Sequence, residues 1–97
     1  MHKYGKRDAN QLSIISDLRR LGCTVLDLAS VGSGCPDILV GNCGVNYLFE
    51  IKTRHKPAWK ISKLTADQID FFKTWDGQKA RIETVEQAIK IIRSKPL

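Results

Sequence analysis

The chain has 97 residues, 42% of them hydrophobic and 27% charged, which suits one folded domain and excludes wholesale disorder. Sixteen lysines and arginines stand against ten acids, giving a formal charge of +6. Such a field on so small a body favours polyanions such as nucleic acid, although basic surfaces also serve solubility alone. A domain of this length buries only about 60–65% of the surface its unfolded chain exposes, so much of it stays open to a partner chain or a large ligand.

Three cysteines, Cys23, Cys35 and Cys43, form no Cys-x-x-Cys pair. Their odd number argues against a disulfide framework, and their spacing argues against structural zinc. Reduced thiols, buried or partly buried, are expected. His2 and His55 have no metal-ligand spacing to a cysteine. No segment reads as a signal peptide, and the apolar runs fall far short of the roughly 20 residues that cross a bilayer. A cytoplasmic protein is the expectation.

In chain order, the first seven residues are polar and basic. From Asp8 to Leu21, apolar Leu12, Ile15, Leu18 and Leu21, with Ile14 beside them, predict a helix capped by Asp8 and stopped by Gly22. Arg19 and Arg20 in its last turn complement the helix dipole. Cys23 to Ala29 alternates and is rich in β-formers, so it predicts a strand. A glycine-rich connection from Val31 to Pro36 leads into strands at Asp37–Gly41 and Asn46–Lys52, joined as a hairpin by a four-residue loop at Asn42–Val45. Thr53 to Lys63 is a basic loop. Thr65 caps a helix to about Trp75, with Ile69, Phe72 and Trp75 on one face, and Gly77 ends it. Ala80 to Glu83 is a short strand. Thr84 caps a last helix that turns Val85, Ala88, Ile89 and Ile92 inward. The order αβββαβα predicts a single α/β domain over residues 1–97, with a mixed sheet flanked by helices.

The chemistry concentrates on the hairpin. Glu50 and Lys52 are two apart in a strand and share a face, while Phe49 and Ile51 take the other. With Gly41 and Asn46 closing the hairpin, Asp37 falls opposite Glu50. Opposed residues in an antiparallel ladder have Cβ atoms about 4.5–5.5 Å apart. Two carboxylates that close repel unless a cation lies between them, and Mg²⁺ accepts oxygen ligands of this kind. Phosphodiester hydrolysis needs an activated water, neutralised phosphoryl oxygens and a stabilised leaving group. In that reading Asp37, Glu50 and the Ile51 main-chain carbonyl hold Mg²⁺ or Mn²⁺, and Lys52 positions or deprotonates the water.

Arg54, Lys56, Lys60 and Lys63 follow the catalytic strand and are candidates for DNA-backbone contacts; a solvated basic loop is the plainer alternative. Trp59 could stack on a base or pack against protein. Gly32 and Gly34 permit a tight turn or a close approach to DNA. They form no phosphate-cradling loop, which excludes a nucleotide cofactor of the P-loop kind.

The segments Cys35-Pro36-Asp37, Phe49-Glu50-Ile51-Lys52 and Leu64-Thr65-Ala66-Asp67-Gln68 together resemble the VRR-NUC branch of the PD-(D/E)XK nuclease superfamily. The resemblance runs from about Arg7 to the last helix. It implies a restriction-endonuclease-like fold, Mg²⁺ or Mn²⁺ dependence, and a homodimer acting on branched DNA such as Holliday junctions or flaps. The small stand-alone members are often phage-encoded and similar to Holliday-junction resolvases. By position, Asp37, Glu50 and Lys52 match the catalytic triplet, and Gln68 matches an additional glutamine of the family. Many relatives carry a glutamate in the first helix to complete the metal shell. Here a neutral Gln11 takes that place, so either Asp8 substitutes from one turn earlier or the metal binds with one protein carboxylate fewer. Two rivals remain: a DNA-binding module that keeps the fold without catalysis, and an unrelated basic interaction protein whose carboxylates face apart.

Overall fold

The computed structural model describes residues 9–52 and 64–94. Seven elements follow in the expected order: α1 (Ala9–Arg20), β1 (Thr24–Asp27), β2 (Ile38–Asn42), β3 (Val45–Ile51), α2 (Ala66–Thr74), β4 (Lys79–Ile82) and α3 (Val85–Arg93). The strands form one mixed sheet in the order β1-β2-β3-β4. β1, β2 and β3 are antiparallel neighbours, and β4 lies parallel to β3. This is the α/β architecture of restriction-endonuclease-like folds. Asp8, Trp59, both histidines and the basic loop lie outside the described residues.

The sheet has two unlike faces because strand side chains alternate. On one face Val40, Tyr47, Phe49, Ile51 and Ile82 pack with Ile14, Ile15 and Leu18 of α1 and Ala88 of α3 into one buried cluster. Val85, Ile89 and Ile92 lean on this core as partly buried residues. The stacked rings of Tyr47 and Phe49, 5.9 Å apart, stiffen the middle of β3. The other face carries Leu26, Leu39 and Leu48 in register with one another, and α2 lies over part of it.

The buried face of α1 differs from the expected one. Gln11, Ile14, Ile15 and Leu18 are buried, whereas Leu12 and Leu21 are more than half exposed. The reason is geometric. Steps of three residues turn about 300°, so a stripe read as 12, 15, 18, 21 slips round the helix by about 60° a step. The 11, 14, 15, 18 set stays on one side. Gly22, at φ +98°, ends the helix as expected.

The hairpin turn is tighter than expected while its register is the one anticipated. Asn42 pairs with Val45, which leaves only Cys43 and Gly44 in the turn. Their φ angles of 51° and 81° are the positive values that a two-residue turn of matching twist requires. β1 is also shorter than the seven residues read from sequence, and β4 begins one residue earlier. α2 runs from Ala66 to Thr74 and stops with Trp75 as its C-cap, before Gly77. None of its residues is buried, and Ile69 and Trp75 are about half exposed, so it is a helix laid on the sheet rather than sunk into it. Of the cysteines, all free, Cys23 is buried and Cys35 half-buried, but Cys43 is exposed at the turn.

Candidate active site

Pro36 is fully buried and delivers the chain into β2 at a fixed φ. The next residue, Asp37, is locked by its main chain from both sides. Its N–H donates to Phe49 of β3 at 3.0 Å, and its carbonyl accepts from Leu28 N–H at 2.9 Å. Ile38 pairs with Phe49, so Asp37 stands across from Glu50. Ile38 and Phe49 point into the core, so Asp37 and Glu50 both emerge on the opposite face. The Asp37 side chain is fixed too: Oδ2 accepts the Ile51 main-chain N–H at 2.8 Å.

Glu50 is only 2% exposed. Its Oε2 accepts from Gln68 Nε2 at 2.8 Å and faces Lys52 Nζ at 3.5 Å. Oε1 is buried and, among the described residues, makes no hydrogen bond. Burial first, and then the Asp37 carboxylate beside it, push the Glu50 carboxyl up to about 7 from an ordinary 4.5; Lys52 opposes this without cancelling it. Such a pair is relieved either by a proton held between the carboxyls or by a cation.

Gln68 is held in one orientation by the start of α2. Thr65 Oγ1 accepts the Gln68 N–H at 3.2 Å, and Gln68 Oε1 accepts the Thr65 N–H at 2.9 Å, a reciprocal capping box. With the amide oxygen committed to the backbone, the amide nitrogen must face Glu50. One side chain therefore caps the helix and donates to the carboxylate. Sequence reasoning gave Thr65 as the cap but missed this double role of Gln68, which the Thr-x-x-Gln spacing at the head of the helix could have shown.

The loop between β1 and β2 seats α2 over the site. Gly34 has φ +78°, and a Cβ there would stand 2.3 Å from the Asp67 carbonyl oxygen. Gly34 thus serves a close approach between protein segments as well as a turn. The Cys35 thiol is pushed up from its ordinary value by burial, then by Glu50 and Asp37, so it shares the carboxylates' field. Sequence reasoning did not place it there, although it stands two residues before Asp37.

A family model of archaeal Holliday junction resolvases (Hjc) matches residues 2–94, nearly the whole chain. The chain belongs to the archaeal Holliday junction resolvase family. This is a PD-(D/E)XK-like family of structure-selective endonucleases that bind branched DNA. No curated protein matches the chain.

In this resolvase-family chain, the described residues bring Asp37, Glu50, Lys52 and Gln68 together. Gln11 is buried in α1 at 8% exposure. Its neighbour Asn10 donates to the Glu83 carbonyl at 3.1 Å, and the preceding Ile82 carbonyl accepts the Lys52 N–H at 2.9 Å. The amino end of α1 is thereby tied to the end of the sheet that carries the site. Asp8, Arg54, Lys56, Lys60 and Lys63 fall outside the described residues.

The donor set fits a hard divalent cation. Two carboxylates, one with a buried oxygen that lacks a hydrogen bond among the described residues, match the one or two that Mg²⁺ usually takes from protein while keeping several waters. Among the described residues no cluster of three His, Cys, Asp or Glu could hold a metal. No helix among the described residues is long and apolar enough to cross a membrane.

Proposed function

We propose that this protein is a divalent-metal-dependent endonuclease that hydrolyses phosphodiester bonds in branched DNA, Holliday junctions foremost, through Asp37, Glu50 and Lys52. The observation that carries this reading is the fully buried Glu50 carboxylate opposed to Asp37 and bridged to Lys52 and Gln68. Asp37, Glu50 and the Ile51 carbonyl would hold Mg²⁺ or Mn²⁺. When bound, the cation supplies Lewis acidity toward the phosphoryl oxygens and makes a water molecule easier to deprotonate.

The chain's own groups do the rest. Lys52 Nζ, held 3.5 Å from Glu50 Oε2, is placed to orient the attacking water and offset charge that develops on the phosphate. Gln68 fixes the Glu50 carboxylate by donating to the same oxygen, Oε2, at 2.8 Å, which leaves Oε1 without a hydrogen bond among the described residues. The attacking water oxygen forms a new P–O bond as the bond to the departing sugar oxygen breaks, leaving a phosphate monoester and a free hydroxyl. Arg54, Lys56, Lys60 and Lys63, next along the chain, would neutralise backbone phosphates.

A homodimer belongs to this reading. Resolving a four-way junction takes two incisions in strands related by a two-fold axis, and two copies of the site would meet that symmetry. The sheet face around the site offers apolar surface for such contact, with Leu26 and Trp75 each about half exposed beside a cavity of about 430 Å³ lined by Leu28, Leu39, Leu48 and Phe71. Kinship with the VRR-NUC branch, read from the segments around Asp37, Glu50 and Gln68, is the finer placement within the same superfamily.

The test is incubation of the full chain with a synthetic four-way junction and with linear duplex, each with Mg²⁺ or Mn²⁺. Preferential junction cleavage is expected, with Glu50→Ala and Lys52→Ala losing turnover while retaining DNA binding. A junction left intact with both metals would overturn the proposal. The neutral, buried Gln11 favours one rival, a binding module of the same fold that has lost its metal. That rival predicts tight junction binding with no Mn²⁺ heat that depends on Asp37.

A further inference from the structure

We infer that Arg81 is a further DNA-phosphate contact of this site, gripping the backbone on the β4 side of Glu50. The inference rests on the junction-nuclease reading and adds a residue that the catalytic triplet and the basic loop do not include.

Register carries the argument. In the parallel β3–β4 ladder, Glu50 pairs with Arg81 and Ile51 with Ile82. Ile82 is 1% exposed in the core, so alternation puts Arg81 on the other face, with Asp37 and Glu50. Asp37, Glu50 and Arg81 therefore stand side by side across three neighbouring chain segments about 4.8 Å apart. A guanidinium on a side chain of that length reaches the space in front of the carboxylates.

Charge and exposure favour a phosphate there. A phosphodiester approaching Asp37 and Glu50 meets two acids, and among the described residues the nearest amine, Lys52, is mostly buried against Glu50. Lys79, the preceding residue on the same face of β4, turns instead to the Trp75 carbonyl at the end of α2. The Arg81 side chain is about a third exposed, and its contact with the mostly buried Glu83 Oε2 is long, 3.5 Å. Arginine carries five N–H donors in a fixed fork, so a guanidinium with this access to solvent can take a phosphate oxygen alongside its protein contacts. The planar fork of arginine matches phosphate oxygens better than an ammonium does.

The experiment measures binding of the full chain to a synthetic four-way junction, by fluorescence anisotropy in EDTA over a range of salt. Arg81→Ala should weaken binding about threefold to tenfold at moderate salt and lower the slope of log affinity against log salt by about one. Arg81→Lys should restore the slope, because the charge returns. In Mg²⁺, Arg81→Ala should raise KM more than it lowers kcat. Glu83→Gln, which removes one nearby negative charge and keeps Arg81, should bind at least as tightly as the parent. An unchanged slope in Arg81→Ala, with loss of thermal stability alone, overturns the inference and leaves Arg81 as a scaffold partner of Glu83. A parent protein that fails to bind the junction overturns the junction-nuclease reading itself, a distinct result.

Discussion

Replacing Glu50 by glutamine in the metal-free protein should raise stability at high pH and hardly change it at low pH. The carboxyl sits at about 7 in the folded protein against 4.5 ordinarily, chiefly because it is buried and faces Asp37. Below pH 4.5 it is neutral in both folded and unfolded chains. As pH climbs toward 7, the unfolded chain ionises first and gains from doing so, so the folded state loses ground; the loss is complete once pH passes about 7. Across the rise from 4.5 to about 7, at about 1.4 kcal/mol per pH unit, the penalty is on the order of 3 kcal/mol. Glutamine keeps the shape, still accepts from Gln68, and turns an N–H toward Asp37. Denaturant unfolding in EDTA at pH 5 and pH 8 should therefore show Glu50→Gln near parity at pH 5. At pH 8 it should be more stable by about 3 kcal/mol, worth on the order of 10–20 °C in Tm for a domain this small. A wild-type to Glu50→Gln difference that stays the same at both pH values would refute the reasoning.

Two further perturbations separate helix capping and loop geometry from chemistry. Thr65→Ala removes the acceptor for the Gln68 N–H and should cost about 1 kcal/mol in unfolding experiments with turnover largely kept. Gln68→Ala also removes the donor to Glu50 and should lower turnover by about tenfold to a hundredfold, the worth of a hydrogen bond to a charged group. Equal turnover in the two variants would show that Gln68 matters only as a cap. Gly34→Ala sets a Cβ against the Asp67 carbonyl in a positive-φ backbone and should cost about 2 kcal/mol or more, with reduced turnover as α2 is pushed off Glu50. Gly22→Ala has the same positive φ in open space and should cost about 1 kcal/mol with turnover unchanged. Paired melting curves and junction-cleavage assays read both.

What the sequence made legible, and what it hid, follows from the range of the interactions involved. The hairpin register was readable because alternation buries Ile38 and Phe49 together, and a one-residue slip would have turned one of them away from the core. The face shared by Asp37 and Glu50 came with it, even though the turn is two residues rather than four. The buried face of α1 was misread because leucines at three-residue intervals look periodic while drifting round the helix. The capping function of Gln68 is local and readable, but its contact with Glu50 depends on where α2 lands. That landing is set by Gly34 and Asp67, which are far apart in the chain. The neighbourhood of Arg81 was hidden for a related reason. A parallel pairing needs a crossover through α2, and nothing in the Lys79–Ile82 segment announces which residue of β3 it will meet.

The most direct measurement is calorimetric titration of Mn²⁺ into the wild-type chain and into Asp37→Asn and Glu50→Gln, at pH 8 and without DNA. Saturable heat in the wild type, lost in both variants while each keeps its folded circular dichroism spectrum, is the predicted result. Heat that survives both substitutions, or no heat from the wild type, would contradict the claim that Asp37 and Glu50 converge to hold a catalytic cation.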